Sequence, residues 1–133
     1  MVAMKNHSKT IKIKSVLIIL SVFLCGNALA SEWIAVDGGA TEIDLKQNAI
    51  EDKLWRFLKG QSEYEFQKRE TYIYQYQAIS DEVIQINALC DVPDRSKLSK
   101  QFYYVFDGGS CYFQIQYNIN TGKFSNLYVN GLA

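Results

Sequence analysis

Between Phe102 and Ile119 the chain alternates apolar and polar residues as a β-strand does, but the alternation changes phase partway. Before the change the apolar set is Phe102, Tyr104 and Phe106, at even positions; after it the set is Cys111, Phe113, Ile115, Tyr117 and Ile119, at odd positions. Strand side chains alternate faces with period two, so one extra residue transfers the whole set to the other face. Asp107-Gly108-Gly109 is the place for that residue, because glycine accepts the positive φ of a bulge or tight turn.

Residues 1–30 read as a signal peptide. Lys5, Lys9, Lys12 and Lys14 form a basic n-region, Val16 to Leu24 is an apolar core, and Ala28-Leu29-Ala30 is a small-x-small cleavage site ahead of Ser31. The apolar run is too short for the ~20 residues of a spanning helix, so no membrane span is expected. Cys25 raises the alternative of lipidation, but Leu24 stands where a small residue is needed before a lipidated cysteine. The expectation is a periplasmic or secreted protein whose residues 31–133 form a single domain. All fourteen acidic residues but only ten of the fourteen basic ones lie in that domain, so the balanced charge of the whole chain conceals an acidic one. Without a basic run it has no electrostatic reason to bind nucleic acid or anionic lipid.

Cys90 and Cys111 are the cysteines left after cleavage. In an oxidising compartment an even pair is most simply a disulfide; a metal or redox pair finds no C-x-x-C motif, and the only histidine, His7, leaves with the leader. The bond also discriminates between two readings of the glycines. A hairpin turn at Asp107–Ser110, with its first arm paired to Glu82–Cys90, separates the cysteines by roughly 18 Å at ~3.3 Å per residue. A disulfide requires Cα atoms within about 7 Å. One long strand from Phe102 to Ile119, bent at a glycine bulge, puts Cys111 beside Cys90 and is the reading preferred.

Ahead of these strands, Ile43, Ile50, Leu54, Phe57 and Leu58 fall in one sector about 100° wide, and Thr41-Glu42-Ile43-Asp44 fits a capping box. A helix is expected over 42–59, closed by Gly60. Ser31 to Val36 is a short strand or an anchoring arm. Strand patterns follow at 64–79 and 82–90, a polar loop with the single proline, Pro93, at 91–100, and a last strand near 124–129. The fold class is therefore α+β: one N-terminal helix on a curved antiparallel sheet of about four strands, similar in element order to cystatin-like folds.

The domain lacks histidine, which removes Ser-His and Cys-His nucleophile pairs and most zinc sites. Asp107-Gly108-Gly109 lacks phosphate-loop spacing, and no catalytic residue, metal or cofactor is expected. Carboxylate pairs such as Asp37 with Glu42 or Asp44 leave a polymer hydrolase as the alternative function. The more informative feature is an uncharged polar face: Gln75 and Gln77, Gln85 and Asn87, then Tyr112, Gln114 and Gln116 share the phase opposite the apolar one on their strands. Solvent-facing strands usually carry charge. A Gln/Asn/Tyr surface is cheap to desolvate and rich in donors and acceptors, so these seven residues are the candidate binding face, with Tyr112 as its anchor. Gln75, Gln85, Tyr112, Gln114 and Gln116 are expected to be exposed on one side, with Gln114→Lys or Gln116→Lys nearly neutral for stability.

Ile86-Asn87-Ala88-x-Cys90, Asp107-Gly108-Gly109-x-Cys111-Tyr112-Phe113 and Asn130-Gly131-x-Ala133 resemble a group of small exported bacterial proteins of uncharacterised function. That resemblance implies export and a disulfide, and no active site. The functional expectation is a small exported recognition or inhibitor-type protein that binds an unidentified protein or envelope polymer. A structural envelope protein is the further alternative.

Overall fold

The computed structural model of the chain describes residues 31–131; the expected leader, with its cleavage site and Cys25, lies outside the described residues. Chain order is β1 (Trp33–Ala35), α1 (Gln47–Lys59), β2 (Ile73–Ala78), β3 (Val83–Leu89), β4 (Tyr112–Asn118) and β5 (Lys123–Val129). The strands form one sheet in the order β1-β2-β3-β4-β5. β2 to β5 are an antiparallel meander, whereas β1 lies parallel to β2, because α1 carries the chain back between them. The sheet thus has five strands rather than four, and the helix follows a strand rather than leading the domain. Among the described residues no helix is long and apolar enough to cross a membrane.

Period-two alternation assigns the two faces. Tyr74, Ile84, Ile86, Ala88, Phe113, Ile115 and Tyr117 point toward α1, which buries Ile50, Leu54 and Leu58 at a spacing of four against them. Trp33 joins this core from β1 by stacking on Tyr74, ring centroids 4.4 Å apart. Phe66 closes one end, edge-on to both Phe113 and Trp55.

The helix begins at Gln47 and not at residue 42; Lys46 stands at its N-cap, with no side-chain cap bond. Ile43 and Leu45 reach the core as alternate residues of an extended lead-in, and the Thr41 hydroxyl donates only to its neighbour's carbonyl. Burial of those two side chains outweighs the capping pattern. β2 is also shorter than the expected 64–79. Residues 61–72 instead make turns and a short 3-10 segment, Arg69–Thr71, held by the Tyr72 hydroxyl. That hydroxyl accepts from the Gln67 amide and donates to the Ser110 carbonyl.

The Cys90–Cys111 disulfide is present, with Cα atoms 4.9 Å apart. Its setting differs from a bent strand, for residues 102–107 are not in the sheet at all. β4 starts at Tyr112, preceded by a 3-10 turn, Gly109–Cys111, and by Gly108 at φ 88°. A Cβ on Gly108 would stand 2.5 Å from the Tyr112 ring, so this position excludes a side chain twice over. The glycines reverse the chain between two layers rather than kink one strand.

Candidate recognition surface

The outer sheet face, opposite α1, carries two cross-strand rows of amides. Gln75, Asn87 and Gln114 are in register across β2, β3 and β4; Gln77, Gln85 and Gln116 form the next row. The phase assignment holds for every one of these residues. What lies over the first row does not follow from phase.

Residues 91–107 cross the sheet as a strap. Ser99 accepts from the Asp37 amide just beyond β1, and the carbonyls of Val105 and Asp107 accept from the Asn130 side chain just beyond β5. A segment running across strands cannot join their ladder, so its buried polar groups need other partners. The amide row supplies them. Gln75 Nε2 donates to the carbonyls of Leu98 and Gln101, and its Oε1 accepts from the Tyr103 amide and from Asn87 Nδ2. Asn87 donates also to the Tyr103 carbonyl and accepts from Gln114. Leu98, Tyr103 and Val105 then pack with Leu89 and Tyr112 into a second, smaller core.

Three expected binding residues are therefore not on the surface. Gln75 and Asn87 are fully buried, and Tyr112 is buried beneath the strap with its hydroxyl donating to the Asp91 carbonyl. Burial, above all, raises the Tyr112 hydroxyl above the ordinary tyrosine range. Gln77, Gln85, Gln114 and Gln116 remain half-buried and reachable. Gln85 and Gln116 are bonded to one another, and Gln116 accepts from Asn126, whose positive φ of 53° marks the register shift in β5.

The strap has an outer side of its own. Tyr103 and Val105 turn inward, which turns Phe102, Tyr104 and Phe106 outward. Phe106 is completely exposed and Tyr104 is 58% exposed; the Phe102 and Tyr104 rings stand 5.8 Å apart, tilted by 33°. Tyr128, 61% exposed, is in register with Gln114 on the same sheet face. Arg95 and Lys100, two of the strap's cations, pair with Glu32 and Asp37 at the β1 end. Of the even-numbered aromatics that suggested a strand face, Tyr104 and Phe106 are thus rings in water and Phe102 is half-buried beside Tyr104. Their alternation was visible in the sequence, but Tyr103 and Val105 are apolar too, so the inward set could not be chosen from it.

Two other places hold polar chemistry. A cleft of about 540 Å³ between β1, the Asp37-Gly38-Gly39 turn and β2 is lined by Asp37, Glu42, Tyr76 and Gln77; both carboxylates are exposed and Asp37 is paired with Lys100. On the other side of the sheet, Glu51 of α1 is only 3% exposed. It accepts from the hydroxyls of Ser31 and Tyr74, and Arg69 reaches it at 3.4 Å while bonding Asp52 at 2.6 Å. Burial first, and then the nearby Glu51 charge, hold the Tyr74 hydroxyl protonated far above the ordinary tyrosine range. Glu51 directly follows Ile50 on the apolar stripe, the one sequence signal that could have singled it out.

Compared with protein-family models, curated proteins and solved structures, the chain finds no match.

Proposed function

We propose that this is an exported recognition protein that holds a macromolecular partner on the outer side of its sheet, through Phe102, Tyr104, Phe106 and Tyr128 with the half-open amides Gln77, Gln85, Gln114 and Gln116. The observation that supports it is the fully exposed Phe106 beside Tyr104, on a strap whose alternate residues are locked into the sheet. Isolated apolar side chains on a surface are ordinary, but a row of aromatics on a fixed backbone offers large contact area at little entropic cost. With amides and no cluster of like charge beside it, such a surface suits an uncharged partner: a neutral envelope polymer or the neutral core of a protein interface. The cystatin-like arrangement is part of this reading only as an analogy of element order, which carries no activity, and the parallel β1 departs from it.

Immobilised protein should retain a component of the source cell's envelope or culture medium, and a Tyr104→Ser/Phe106→Ser variant should lose at least ten-fold in affinity at unchanged thermal stability. Equal retention by both proteins overturns the assignment of the surface. The cleft beside Asp37 and Glu42 supports a second reading, a carboxylate hydrolase of a polymer. Asp37→Asn and Glu42→Gln should each abolish hydrolysis if that reading is right and leave retention intact if it is not.

A further inference from the structure

We infer that Glu51 is a binding site for the chain's own α-ammonium, created when the leader is removed after Ala30. Ser31 is the residue that cleavage would make first, and its hydroxyl already donates to Glu51 Oε1 at 2.5 Å. By bond geometry its backbone nitrogen is within roughly 6 Å of that oxygen. In the precursor this nitrogen is a neutral amide fixed by the preceding residue. After cleavage it is a cation free to turn toward the carboxylate.

The charge of the carboxylate calls for such a partner. A charge as buried as Glu51 requires both compensation and hydrogen bonds. Two of its donors are neutral hydroxyls, Ser31 and Tyr74, and the one cation near it among the described residues, Arg69, lies 3.4 Å away with its shorter bond committed to Asp52. The groups around the carboxylate therefore leave it incompletely paired by the described residues, on the side where the chain enters β1. A terminal ammonium there joins the N-terminal residue to α1 and, through Tyr74, to β2. Processing would thus complete the fold as well as release the protein.

The test uses the processed protein. Its mass should give Ser31 as the first residue. An amine-specific reagent at neutral pH should label the α-amine several-fold more slowly than it labels an unstructured peptide of the same N-terminal sequence, and Glu51→Gln should restore the peptide's rate. Ser31→Ala, which removes the hydroxyl and keeps the ammonium, should still be labelled slowly; it serves as the readout should Glu51→Gln fail to fold. A different first residue overturns the inference. So does labelling at the peptide's rate in the wild type or in Ser31→Ala, and so does slow labelling that persists in folded Glu51→Gln. None of these outcomes bears on partner binding at the strap, on the opposite side of the sheet.

Discussion

Replacing Gln75 with leucine should lower stability by about 4 kcal/mol, because the strap would lose three of its bonds and Asn87 a fourth, at roughly 1 kcal/mol for each net hydrogen bond. The side chain uses every donor and acceptor it has, so no substitute of similar volume reproduces it. Urea denaturation measures the loss, and a change below about 1 kcal/mol would show that the strap is held by packing alone. Gln114→Lys should now cost about 1 kcal/mol instead of being neutral, since buried Asn87 Oδ1 loses its amide donor. Gln116→Lys, in the half-open row, should stay within about 0.5 kcal/mol. Gly108→Ala should cost about 2 kcal/mol or more, combining a left-handed φ with a Cβ driven against Tyr112. Gly131→Ala, where nothing lies within 4 Å, is the matched control.

At the scale of elements, the strap decides how much of the fold could be read in advance. The disulfide closes a loop, residues 91–110, that contains the whole strap, and the chain-entropy model assigns such a loop about 3 kcal/mol. Reduction should lower stability by about that amount and should expose two alkylatable thiols that native protein lacks. The strap should be the first segment to lose hydrogen-exchange protection, read at the Tyr103 amide. Two free thiols in native protein never exposed to reductant would rule out this element as described. The strands and their faces were legible because period two is local: Ile84, Ile86 and Ala88 on one side, Gln85 and Asn87 on the other. The strap was not, because a glutamine facing water and one facing a covering backbone look alike in sequence. Both are uncharged, polar and out of phase with the core. The absence of lysine and glutamate from the β2, β3 and β4 positions of that face was the available signal, and it meant a covered surface as much as a binding one. The helix start failed for a related reason, since Ile43 fits both the helical sector and, with Leu45, an extended lead-in.

For the molecule as a whole, the buried tyrosines set an upper pH limit on the fold. Tyr72, Tyr74 and Tyr112 are held protonated above the ordinary tyrosine range, in each case first by burial, with Tyr74 shifted most. In the unfolded chain the same hydroxyls ionise near pH 10. A group whose folded pKa is raised contributes stability that is fully present below its unfolded pKa and lost as pH climbs from there toward the folded value. Stability should therefore be insensitive to these groups up to about pH 9 and fall steeply above about pH 10. Tyr74 joins the layers in which this acts: it stacks on Trp33 of β1, accepts from Trp55 of α1 and donates to Glu51. Ionising it would put a second negative charge beside Glu51 within the core, so α1 and β1 should come away together with the sheet rather than singly. The expected record is an alkaline titration in two parts. In the first part far-ultraviolet dichroism stays native. The buried set then ionises in one step that coincides with the loss of dichroism. Tyr74→Phe removes the ionisable group, and it should shift that step upward in pH while costing about 2 kcal/mol at neutral pH for the two hydrogen bonds it deletes. Ionisation of all nine tyrosines with native dichroism retained would mean that the hydroxyls of this core are open to solvent, against the burial of Tyr72 and Tyr74.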